Sequence, residues 1–300
     1  MDVPVKTESK KGKLIKLLLK IAVTAVCLWY VSGKIDFAKA GLVIKNANWF
    51  YLILAIAAFI FSKWISAIRI NIYFQNISIA LTHWQNVKLY WLGMFYNLFL
   101  PGSITGDAYK VILLTRQSGV PYKKTTAAVL LDRFSGLLAL GLILGAYSII
   151  VLKNKLHIFL LIACAIAAIL VLYFIIKKLF PYFLPGFWPT FAWGLIVQIS
   201  LVGCVYLILL SLNIEERQSD YIFIFLIAAV AGVLPITVGG GLGVREFVFV
   251  EGAKHFGLEP NISIVVSLLF YVITLLISLF GVIFVFKNPL VVQSKLAKDN

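Results

Sequence analysis

The chain has 300 residues, 62% of them hydrophobic and only 13% charged, with a mean hydropathy of +0.99. Soluble domains carry about a quarter charged residues, so this composition excludes an ordinary globular protein and indicates a polytopic membrane protein. The formal net charge is +15, but the basic residues flank apolar runs, where they serve topology and contact with anionic lipid; nucleic acid is not expected as a partner.

The first apolar run covers residues 14–32, behind Lys10, Lys11 and Lys13. It is similar to a signal peptide, and Ala38-Lys39-Ala40 is similar to a cleavage site, but the run is long enough to span and is expected to be retained. Further spans are predicted over 49–70, 125–151, 156–178, 190–212 and 261–286. Two other apolar regions, 88–118 and 221–256, are interrupted by "FLPGSITGDAYK" and "VLPITVGGGLGVRE". Each half of these regions is short for a full crossing, so a helical hairpin that enters and returns on one side is expected. The alternative is two short tilted helices per region, giving eight or more spans. The predicted fold is all-α: about six spanning helices plus two broken, re-entrant hairpins, in a single membrane domain over 1–300 with a cytoplasmic tail at 287–300.

The order helix, helix, broken hairpin, helix occurs twice. Residues 1–124 with 125–151 form a first repeat and 156–286 a second, with Leu100-Pro101 and Leu234-Pro235 in matching places. Each half crosses the membrane an odd number of times, so the second is inverted relative to the first. With the N-terminus in the cytoplasm, sixteen lysines and arginines flanking the spans fall inside, against Lys34, Lys39, Lys45, Lys153, Lys155 and Arg217 outside. That bias predicts a multi-pass protein of the cytoplasmic membrane with both termini cytoplasmic. Matching interruptions in two halves are the sequence pointer to a transporter's binding site.

At the first interruption, Pro101 removes a backbone donor, and Gly102 and Gly106 permit unusual dihedrals. Ser103, Thr105 or Asp107 is expected to cap the helix that follows, whose N-terminus suits a phosphate or carboxylate. Asn97 precedes the break; Lys110 adds a charge one turn into the helix, oriented by Asp107. At the second interruption, Gly239, Gly240, Gly241 and Gly243 can converge backbone N–H groups on an anion beside Arg245 and Glu246. The spacing does not fit a dinucleotide fingerprint. In "LLDRFSG", Asp132 and Arg133 are adjacent and cannot face one another on a helix, so each needs a partner elsewhere, or Arg133 snorkels. Arg69, at the end of a span, is expected to snorkel to the interface, and Gln198 and the pair Gly141/Gly145 to join helices.

Cys27, Cys164 and Cys204 lie inside apolar runs, and the three histidines are scattered. No metal site, cofactor or catalytic set is expected, and an enzyme is the less favoured class.

"NLFLPGSITGDAYK", "LLDRFSG" and "LPITVGGGLGVRE" resemble the lysylphosphatidylglycerol synthase transmembrane-region family, also described as flippase-like. The first motif departs where the family is expected to have Gly at Thr105 and Arg at Lys110; lysine attracts phosphate but lacks the bidentate fork. Members that make the lysyl-lipid carry a soluble aminoacyl-transfer domain after the membrane part, and only "KNPLVVQSKLAKDN" follows the last span here, so a membrane module alone is expected. The resemblance implies translocation of an anionic lipid or lipid-linked amphiphile. The alternatives are a module presenting a lipid to a separate transferase, or a lipid-modifying enzyme with Asp107 or Glu246 as base.

Overall fold

The computed structural model describes Trp29 and residues 37–99, 104–233, 241–286 and 289–290. The expected span at 14–32, the breaks Pro101, Gly102 and Pro235, the glycines Gly239 and Gly240, and most of the tail lie outside the described residues. Regular structure within them is entirely helical: α1 (Phe37–Lys45), α2 (Trp49–Gln75), α3 (His83–Phe99), α4 (Thr105–Ser118), α5 (Tyr122–Val151), α6 (Lys155–Leu179), α7 (Leu184–Ser211), α8 (Gln218–Val233), α9 (Val244–Phe256), α10 (Pro260–Leu279) and α11 (Ile283–Phe286). Short 3₁₀ turns precede α7 and follow α10.

Five helical stretches are long and apolar enough to cross a membrane: Trp49–Gln75, Tyr122–Val151, Lys155–Leu179, Pro181–Ser211 and Pro260–Phe286. They answer to the five predicted spans that fall on described residues, and the protein is a multi-pass helical membrane protein. Their ends have local causes. Asn48 and Asn154 accept the Phe50 and Leu156 N–H groups at 3.0 and 2.9 Å and so start α2 and α6. The helices run past the predicted limits, to Gln75 in α2 and back to Tyr122 in α5.

Both interrupted regions are pairs of short helices packed on each other, α3 with α4 and α8 with α9. Both second limbs stop on a left-handed glycine, Gly119 and Gly257, and a proline, Pro121 or Pro260, introduces the next span. Within the first pair the backbones touch: a Cβ on Gly106 would run into the Gly93 carbonyl.

Helix contacts follow a reciprocal pattern. If α2, α3, α4 and α5 are matched with α7, α8, α9 and α10, each contact has a counterpart. α2–α3 answers to α7–α8, α2–α5 to α7–α10, and α4–α5 to α9–α10. Across the halves, α5–α7 answers to α10–α2 and α5–α8 to α10–α3, while the matched pair α2–α7 makes the broadest contact of all.

Apolar burial splits into two main cores. One gathers Leu52, Phe59, Leu144, Ile208 and Phe225; the other Ile70, Phe74, Leu114, Val129 and Phe187. Between them, along α2, α5 and α7, lies a buried polar layer: Ser62, Ser66, Arg69, Asp132, Ser135 and Gln198. α6 is apolar and largely exposed, as suits a helix facing lipid; the Gly141/Gly145 side of α5 meets its Ala165 and Ile162.

Candidate functional site

At the first break, α4 begins at Thr105 with no side-chain cap from its own N-cap residue, Ile104. Asn97 from α3 contributes a cap instead from the neighbouring limb: its Oδ1 accepts the Gly106 N–H at 2.8 Å, while the cap candidate Ser103 lies outside the described residues. Asp107, in the first turn, accepts from the Lys110 ammonium at 3.1 Å and from the Arg133 guanidinium of α5. One carboxylate therefore lies between two cations. Lys110 is buried, lies 4.7 Å from the Tyr90 ring centroid, and presses against Gly93. Any Cβ at Gly93 would collide with the lysine stem, so the small residue on α3 is what admits the cation. Arg133 remains partly exposed, with a third of its side chain accessible.

At the second break the glycines are partly committed. Gly241 and Gly243 both have positive φ, 98° and 86°. The Gly243 N–H donates to Glu246 Oε2 at 2.7 Å, so Glu246 reaches back over the start of α9 and occupies part of the expected anion nest itself. Glu246 Oε1 accepts from Arg245 Nη2 and from the Ser267 hydroxyl, each at 2.9 Å. Arg245 Nε donates to Ser267 at 3.0 Å, closing a triangle between α9 and α10. The guanidinium carbon lies 5.6 and 5.3 Å from the Phe270 and Tyr271 ring centroids, within cation–π range. Arg245 Nη1 takes part in none of these bonds.

Asp132 and Arg133 diverge as their adjacency demands. Arg133 finds Asp107, and Asp132 finds Arg69. The Arg69 assignment needs correction. It does not snorkel; it is 6% exposed and grips Asp132 through Nε and Nη2 at 2.7 and 3.1 Å. The reason is length: α2 continues six residues beyond Arg69, which places it nearly two turns inside the helix. Gly136 and Gly194 lie against the guanidinium, and Gln198 Nε2 donates to the Gly136 carbonyl at 3.2 Å, the interhelical role expected of it. Beside this pair, Tyr73, Ser135 and Thr190 form a closed hydroxyl cluster, with Tyr73 Oη 2.9 and 2.8 Å from the other two oxygens.

The structure thus joins Asn97, Gly106, Asp107, Lys110 and Arg133 at one break, and Gly243, Arg245 and Glu246 at the other. Asp132 belongs to the middle layer. Two residues escape a search by motif. Ser267 is a serine in an apolar span, with no signal until α10 packs on α9. Lys63 sits midway along α2 and carried a signal that averaging hides: one lysine within an otherwise apolar run. No group of three or more His, Cys, Asp or Glu side chains able to hold a metal occurs among the described residues.

The family described as Lysylphosphatidylglycerol synthase TM region matches residues 17–184 and 182–281. The chain therefore belongs to that family, which ties it to membrane lipid. A search of curated proteins finds no match.

Proposed function

Taking membership of the lysylphosphatidylglycerol synthase membrane-region family as premise, we propose that this protein binds the anionic headgroup of a lipid or lipid-linked amphiphile between its two broken hairpins and carries it across the cytoplasmic membrane. The observation behind this is the pair of ionic clusters, each built in the first turn of a hairpin's second limb and each tied to the span that follows. Ionisable groups in an apolar bundle are costly and mark pathways. The first cluster brings the Lys110 and Arg133 cations to one carboxylate, the second presents a guanidinium, and both suit a phosphate. Acyl chains stay in the bilayer while the headgroup passes.

The reciprocal helix contacts support an inverted repeat of 1–151 and 156–286, with the hairpins entering from opposite faces and both termini cytoplasmic. Rocking of one half on the other, along the broad α2–α7 contact, then gives alternating access. Asp107 accepts from two cations and Glu246 from three donors. Carboxylates so occupied suit charge placement better than proton abstraction, which disfavours the enzyme. One observation favours a second reading. The matching family is described as part of a synthase, so this module can instead present lipid to a separate transferase.

Lipid retained through purification tests the site. Native mass spectrometry of parent protein should show bound anionic lipid, and Lys110→Gln should lose it. Equal retention in both would remove the first cluster from the account.

A further inference from the structure

Lys63 lies fourteen residues from the start of α2 and twelve from its end, about 18–21 Å of helix in either direction. An ammonium at that depth is too far from either interface to be excused as a snorkelling group. It accordingly calls for a partner. Among the described residues Lys63 makes no hydrogen bond and no ion pair; its contact is the Phe59 ring, 4.5 Å away. The hydroxyls nearest in sequence turn to the backbone, Ser62 donating to the Phe59 carbonyl and Ser66 to the Ser62 carbonyl, and neither carries a counter-charge. Arg69, the next cation along α2, is already neutralised by Asp132.

Its surroundings lead to the second break. Phe59 stacks edge-on with Phe270 at 5.7 Å, and Phe270 in turn carries the Arg245 guanidinium on its other contact. One aromatic pair thus bears a cation at either end. Arg245 is balanced by Glu246. Lys63 is half-buried and is balanced by nothing described, so the charge deficit of this part of the bundle is centred on it.

We propose that Lys63 is an anion-binding residue within the bundle, taking the phosphate or carboxylate of a membrane amphiphile on the Phe59/Phe270 side that leads from Arg245. The assignment rests on the reading of the protein as a binder of anionic amphiphiles and adds a second subsite to it. The ligand anion completes the missing ion pair, beside the Phe59 ring over which the ammonium already sits.

The test uses full-length protein in detergent, titrated with phosphatidylglycerol, with phosphatidylcholine of the same chains, and with glycerol phosphate. Parent protein should prefer phosphatidylglycerol. Lys63→Met, which keeps the stem volume, should weaken that lipid by about tenfold or more and leave phosphatidylcholine unchanged, while Lys63→Arg should restore binding. A second readout needs no variant. Labelling of Lys63 by an amine-reactive reagent, located by peptide mass spectrometry, should fall when phosphatidylglycerol is present and not with phosphatidylcholine. Protection by glycerol phosphate alone would assign the site to a free phosphate ester and still support anion recognition. If Lys63→Met binds phosphatidylglycerol like the parent, or labelling is indifferent to it, the subsite is overturned. Should Lys110→Gln lose binding in that same experiment, the hairpin reading stands without Lys63. Parent protein that does not prefer the anionic lipid overturns both.

Discussion

Arg69 and Arg245 are both buried guanidiniums paired with a carboxylate, yet their substitutions are predicted to differ. Arg69 and Asp132 satisfy one another through two parallel bonds in the middle of the bundle. Removing one partner strands the other, at a cost of about 3–5 kcal/mol. Asp132→Ala is therefore expected to lower the melting temperature in detergent sharply, and a melt unchanged within error would show that the pair is dispensable. Arg245 Nη1 bonds to no side chain among the described residues. Arg245→Lys retains the charge towards Glu246 but loses the planar fork, so the expected result is a fall of about tenfold in anionic lipid affinity with a smaller change in stability. Lipid titration beside a thermal melt separates the two effects. Residue-level legibility was uneven for a physical reason. Adjacent Asp132 and Arg133 had to diverge, because helix geometry forbids their pairing. The Arg69 partner was hidden because the apolar run ends at residue 70 while the helix does not.

At the scale of elements, the first hairpin depends on two backbones meeting at Gly93 and Gly106. Gly106→Ala would drive a methyl group into the Gly93 carbonyl and part α3 from α4. Gly119 offers a control. It sits in the left-handed conformation at the end of α4, with open space around it. Gly119→Ala should cost about 1 kcal/mol, and Gly106→Ala clearly more; equal melting temperatures would show that the limbs do not need this contact. Asn97→Ala removes the cap on Gly106 and should cost about 0.5–2 kcal/mol. The breaks themselves were legible, since Pro and Gly interrupt apolar runs that would otherwise continue. The caps were not. Local rules look a few residues ahead, whereas Asn97 reaches α4 from the neighbouring limb, and Glu246 turns back onto the glycine run that was expected to bind an anion.

For the molecule as a whole, the five predicted spans that fall on described residues were visible as hydropathy. How the helices fit together was not, because the α2–α7 contact joins residues far apart in the chain and leaves no local pattern. The Lys/Arg bias predicts that a reporter fused at Asn300 is cytoplasmic and one placed within 213–220 is not; both on one side would break the inverted repeat. The central claim is that the paired clusters carry an anionic headgroup across the membrane. Its most direct measurement is purified protein in vesicles containing headgroup-labelled phosphatidylglycerol, challenged with a membrane-impermeant quencher. The account predicts that quenching extends beyond the outer leaflet to nearly the whole labelled pool, that the lipid is recovered chemically unchanged, and that Lys110→Gln slows the process by about tenfold or more. Quenching confined to the outer leaflet, as in protein-free vesicles, would contradict it.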